Sequence, residues 1–327
     1  TGERCTAVGR HCLETNTASH NTAVGMNSME ANTSGTRNAA LGTRSMSLNL
    51  TGSDNTAVGN DALRVNTTGT QNTAVGANAL DSNTTGSFNV AIGDDALQAN
   101  TTGHYNVGIG QTALGQTTGG GNVAVGGAAL EANTSSSNNT AVGHSALSDN
   151  TTGNGTAVGS YALYASTTGT ANTAVGHNSL GTNTTASNNT AVGFYALQAN
   201  TTGAENTAVG SLTLDANTTG DENTAIGKSA LGGNTTGEYN TAVGKGALQS
   251  ATTANHNTAV GKTALTSCTT GTMNNAFGSN TLVASTTAEY NAAFGYAALT
   301  ATTTGSNNVA IGHVALAANT TGQYNHA

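Results

Sequence analysis

Small apolar residues return to the same phase of this chain every seventeen positions, in a unit that reads Asn-Thr-Ala-Val-Gly-x-x-Ala-Leu-x-x-Asn-Thr-Thr-Gly-x-x from Cys5 to Asn325. The unit predicts two short extended segments, Thr-Ala-Val and the stretch carrying Ala-Leu, separated by turns at the glycine and at Asn-Thr-Thr-Gly. Side chains alternate along an extended segment, so Val24 pointing inward leaves Ala23 outward, and Leu63 inward leaves Ala62 outward. On this reading Val and Leu fill a core, with Leu41, Ile92, Ile109, Phe277 and Phe294 among the substitutes for Val, and Met29 and Met46 for Leu.

The glycine that follows Val fixes the period. It runs from Gly9 through Gly25, Gly42 and Gly59 to Gly312, with a spacing of 17 residues except for three of 16, at Gly9 to Gly25, Gly110 to Gly126 and Gly143 to Gly159. Such a period means stacked structural units. Seventeen residues are too few for a helix pair, which takes about 33 to 47, and suit one turn of a solenoid. The expectation is an all-β parallel β-solenoid, or β-roll, of about 19 coils of 16–17 residues, rising about 4.8 Å per coil. Residues 1–327 are expected to be one repeat domain, uncapped at both ends and part of a longer fibre.

Composition sharpens this picture. Charged residues make up 7% and aromatics 4% of the chain, values that would signal disorder in an aperiodic sequence but not in one whose apolar positions keep their phase. Proline is absent, as continuous ladders require. The net charge of −8 is spread thinly, leaving no basic stripe for nucleic acid. No apolar run approaches the 18 or so residues of a membrane span, so no membrane insertion is expected in this segment. Cys5 and Cys12 allow a local disulfide, although small unpaired residues are the simpler reading; Cys268 stands in for the repeat's second Asn.

Asn55, Asn72, Asn89 and Asn106 recur in register and can bond side chain to side chain along the axis, or cap their own turns. One Val and one Leu per seventeen residues make a thin core against the entropy of ordering that many residues. This favours lateral packing of subunits through the outward alanine columns.

The segments Asn21-Thr22-Ala23-Val24-Gly25, Asn89-Val90-Ala91-Ile92-Gly93 and Asn308-Val309-Ala310-Ile311-Gly312 resemble the Asn-Ser-Val-Ala-Ile-Gly signature of head repeats in trimeric autotransporter adhesins (YadA-like, Hep-Hag). Similar repeats occur in phage tail-fibre-like proteins. The resemblance implies a left-handed β-roll, three chains side by side, and adhesion at a cell surface or on a virion fibre. The family's repeat is shorter, near 14 residues, and this unit is longer by an Asn-Thr-Thr-Gly turn.

No pattern for catalysis stands out. Histidines are scattered without ligand spacing, so no metal or other cofactor is expected. Asp94-Asp95 and Asp221-Glu222 are isolated carboxylate pairs rather than a hydrolase cluster, and phosphate-binding and nucleophile motifs are missing. The spaced Thr-x-Thr pattern of an ice-binding face is also absent.

Two columns face outward as candidate ligand surfaces: Lys228, Lys245 and Lys262, expected to be relieved by Glu222 and Glu238, and the aromatics Phe88, Tyr105, Tyr239, Tyr290 and Tyr324. Asn66, Asn83, Asn100, Asn150, Asn183, Asn200, Asn217, Asn234 and Asn319 each open an Asn-Thr-Thr on an expected exposed turn and are formal glycan acceptors. The functional expectation is a non-enzymatic, homotrimeric extracellular fibre or adhesin rod, with cell-surface glycans as possible partners. Its rival is a self-polymerising single-chain filament, glycan-coated or carbohydrate-binding.

Overall fold

The computed structural model describes residues 2–327 and is all-β, without helices. It is a parallel β-solenoid whose strands of three or four residues recur once per repeat. The chain divides into a first unit ending at Tyr161 and a second, Ala162–Ala327. The first carries ten strands, from Thr6–Val8 to Gly155–Val158, each paired in parallel with its sequence neighbours. The second carries nine, from Asn172–Val175 to Val309–Ile311, paired in the same way.

Register follows the repeat residue for residue: Thr opposite Thr, Ala opposite Ala, Val opposite Val, as in Thr56↔Thr73, Ala57↔Ala74 and Val58↔Val75. The 16-residue coils keep this register, since Thr140↔Thr156, Ala141↔Ala157 and Val142↔Val158 still pair. Their missing residue lies in the Asn-Thr-Thr-Gly corner. Gly155 is the fifth residue after Asn150, where in a regular coil Asn72 is the sixth after Asn66. A surface corner absorbs a deletion more cheaply than a ladder does.

The facing of the strand corrects the sequence expectation. Its alanine is the inward residue: Ala57, Ala74, Ala91 and Ala208 are all 0% exposed. The flanking Thr and Val point out, with Ile92 39% and Ile226 40% exposed. The reason is the narrowness of the coil. At Gly108, which takes the alanine's place, an added Cβ would lie 3.2 Å from Cγ of Leu97 and 3.0 Å from the Ala113 carbonyl oxygen. A methyl group fits against the leucine column there; a Val does not.

The Ala-Leu stretch is a turn and not a second strand. Ala62 and Leu63 are consecutive and both 0% exposed, which an extended segment cannot achieve. Left-handed backbone at Asp61 (φ 56°) and Leu63 (φ 52°) folds both side chains inward, and the same two steps recur coil after coil. Non-glycine residues adopt this region at a cost. The ladder offsets it, because Leu63 N–H donates to the Ala79 carbonyl at 2.9 Å and Val65 N–H to Asp81 at 2.9 Å.

The repeat's glycine is required twice over. Gly76 has φ 140°, and a Cβ there would meet the Gly93 carbonyl oxygen at 2.3 Å in the next coil.

Two asparagine columns complete the interior; the first bonds along the axis to the coils on either side, and in the second the axial ladder and the local cap coexist. In the first, Asn72 N–H donates to Oδ1 of Asn55 at 2.9 Å, while its Nδ2 donates to the Gly86 carbonyl at 2.9 Å. In the second, Asn66 Nδ2 donates to Oδ1 of Asn49 at 2.7 Å and to the carbonyl of Gly69, in its own turn, at 3.0 Å. A typical coil therefore buries one Leu, two Ala and two Asn, so hydrogen bonds take up much of what a larger domain assigns to apolar bulk.

Candidate binding surfaces

The buried asparagines overturn the expectation of exposed acceptor turns. Asn66, Asn83, Asn100, Asn150, Asn183, Asn200, Asn217 and Asn234 are all 0% exposed. Asn83, for example, donates through Nδ2 to Oδ1 of Asn66 at 2.9 Å and to the Gly86 carbonyl at 3.0 Å. A glycan on that nitrogen would have to break both bonds in the folded coil. Asn319 is half-buried and donates to the Gly322 carbonyl at 3.2 Å.

The lysine column is where the repeat phase puts it. Lys228, Lys245 and Lys262 are exposed and directly follow Gly227, Gly244 and Gly261. The expected relief by Glu222 and Glu238 does not occur: those residues precede the strand that the lysines follow, and among the described residues no ion pair involves a lysine. The Tyr239 phenol is raised by the Glu222 charge first, then by slight desolvation and by Glu238.

The arginines behave differently, pairing along the axis one coil apart. Arg37 grips Asp54 with bonds of 2.6 and 2.8 Å, and Arg64 grips Asp81 at 2.7 and 3.0 Å. Arg37 holds the Asp54 carboxyl below its ordinary range through that hydrogen bond.

The aromatic column is present, and every member sits at left-handed backbone, from Phe88 (φ 61°) to Tyr324 (φ 58°). All five rings are exposed. Phe88 and Tyr105 stack at 4.9 Å with planes 7° apart, and Tyr239 stacks on His256 at 4.9 Å and 1°. Tyr290 and Tyr324 stand two coils apart, with Asn307 in the phase between them.

Further ring groups escaped the sequence reading. Phe277 and Phe294 stack at 4.9 Å on the outer sheet face, in the position expected to be core. His177, Phe194 and Tyr195 cluster at the corner after the glycine, with Phe194 and Tyr195 4.2 Å apart. Tyr296 stacks on His313 at 5.4 Å at the same corner. Writing the repeat as aligned columns would have shown each group, because rings in one phase one coil apart must meet.

The remaining candidate groups are separate. Asp95 accepts from Asn78 and Gln98, both at 3.0 Å, and Asp94 is exposed beside it. Cys5, Cys12 and Cys268 are free thiols, Cys268 buried and pushed up to about 11 by desolvation. Among the described residues there is no cavity, no group of three metal-ligating side chains, and no helix long and apolar enough to cross a membrane.

The chemistry on offer is therefore that of an extended surface: an apolar and Thr-lined sheet face, bounded by polar and aromatic corners. No protein-family model matches the chain, and no curated protein matches it.

Proposed function

We propose that this chain is the repetitive shaft or head segment of an extracellular fibre, a homotrimer whose subunits pack through the outer faces of their sheets. One observation carries the reading: the column of Val, Ile, Leu and Phe that follows the strand alanine faces outward in both units, with Phe294 40% and Ile226 40% exposed. A soluble monomer rarely leaves an apolar row of that extent uncovered. The alanine columns invoked from sequence lie inside the coil and offer nothing to a neighbour. The partner surface is the Thr and Val rows, which are flat, regular and self-similar from coil to coil. The number of subunits, the extracellular setting and adhesion rest on the resemblance to adhesin head repeats. Its role is mechanical: to hold and present a surface of repeated polar corners, with the stacked aromatics as platforms for sugars.

Light scattering across a hundredfold range of concentration tests this. The expected result is one species at three times the chain's 32.0 kDa. A particle whose mass grows with concentration would support the self-polymerising filament instead, and a monomer throughout would dispose of both.

A further inference from the structure

All three lysines of the chain occupy one column in three consecutive coils, the position after Gly227, Gly244 and Gly261. Of the six side-chain carboxylates in Ala162–Ala327, five stand in the two positions before the repeat's first Asn; Glu289 is alone, and the other four fall in three consecutive coils: Glu205, the Asp221-Glu222 pair, and Glu238. The two sets flank two strands in common, offset from each other by one coil. Asp221 and Glu222 precede Thr224–Ile226 and Lys228 follows it; Glu238 precedes Thr241–Val243 and Lys245 follows it.

They cannot neutralise one another within a coil. Lys228 lies six positions after Glu222, a span of up to about 20 Å in extended chain, against a screening length of about 8 Å at physiological salt. Each column therefore stacks like charges roughly 4.8 Å apart, and no lysine has an ion-pair partner among the described residues. The first unit contrasts with this: its Arg37 and Arg64 have acids one coil on in reach. Acid crowding at the other edge shows in the raised Tyr239 phenol.

A cyclic assembly supplies what the single chain lacks. When sheets face a common axis, the contact is head-to-tail around the ring, so the edge where one subunit's strands end meets the edge where the next subunit's strands begin. We propose that Lys228, Lys245 and Lys262 of one chain pair across that contact with Glu205, Asp221, Glu222 and Glu238 of a second copy, fixing the axial register of the trimer. An otherwise repetitive interface would fit equally well shifted by one coil. A single charged block set against a complementary block penalises such shifts, as charge patterning does elsewhere. This inference rests on the trimer reading above.

Carbodiimide coupling tests it directly, because that reagent joins an amine to a carboxylate only in close contact and the chain has no other lysine. The full-length protein, assembled from equal parts of ordinary and 15N-labelled chains, is treated at low salt. It is then run on a denaturing gel and digested for mass spectrometry. The expected result is covalent dimer and trimer bands, with mixed-isotope joints linking Lys228, Lys245 or Lys262 to the four acids. These should disappear in the triple variant Lys228→Gln, Lys245→Gln, Lys262→Gln, whose α-amine serves as control. If scattering gives a trimer and no such joint forms, or joints form only within one chain, edge pairing is overturned while the trimer stands. A protein monomeric at every concentration removes the trimer and this inference together.

Discussion

At the scale of single residues, the second asparagine column shows what each rung contributes by where it is interrupted. From Asn234 the column continues as Ala251, Cys268, Ser285 and Thr302. Opposite Ala251 the buried Oδ1 of Asn234 has no hydrogen-bond partner, and neither does the hydroxyl of Ser285. A buried orphan acceptor costs about 1–3 kcal/mol. Ala251→Asn should restore a donor to Asn234 and raise stability by about 1 kcal/mol, read as a higher midpoint in denaturant unfolding. An unchanged or lower midpoint would mean that the ladder bonds carry no net stability. Cys268 offers a second check in the same column. Burial pushes its thiol up to about 11, so near pH 8 iodoacetamide should modify the half-buried Cys5 and leave Cys268 intact until the chain unfolds. Labelling of Cys268 at the same rate as Cys5 would show this interior to be open.

At the scale of one coil, the strand and its turn divide inward-facing duty in a way the periodicity only half reveals. The period, the parallel pairing and the glycine corner were legible because each depends on repetition or on a residue with unique conformational freedom. Facing was not, because hydrophobicity ranks Val above Ala, and a reading by hydrophobicity puts the larger residue inside. What decides is space: the leucine column already fills the lumen opposite the strand, as the contacts around Gly108 show. Nor was the Ala-Leu turn legible, since left-handed backbone at a leucine is not a sequence signal. Asparagine burial was missed because Asn-Thr-Thr-Gly reads as surface turn chemistry, whereas a ladder satisfies the amide internally. Ala57→Val should therefore cost roughly 1–3 kcal/mol by overpacking, and Val58→Ala, in the same strand, distinctly less in monomeric material. The reverse ranking would restore the original facing. Gly76→Ala should exceed both, since it combines φ 140° with a Cβ 2.3 Å from the Gly93 carbonyl oxygen, and should appear as local loss of amide protection in hydrogen exchange.

For the whole molecule, the account comes down to which row of each strand meets another chain. Lateral packing through the alanine rows was the expectation from the thinness of the core; the structure puts those alanines inside the coil, so the proposed contact is assigned to the Val and Thr rows instead. The candidate ligand columns of lysine and aromatic residues were legible as columns, since phase alone places them; that no lysine forms an ion pair among the described residues was not, because it depends on the width of a strand. The most direct measurement compares two neighbours, Ala208→Lys and Val209→Lys, by light scattering together with circular dichroism. Ala208 is fully buried and Val209 half-exposed in the same strand. Val209→Lys is expected to keep the β-sheet spectrum while the particle falls from trimer to monomer, and Ala208→Lys to lose the spectrum around its coils. A Val209→Lys protein that remains trimeric, or an Ala208→Lys protein that folds undisturbed, would contradict the account.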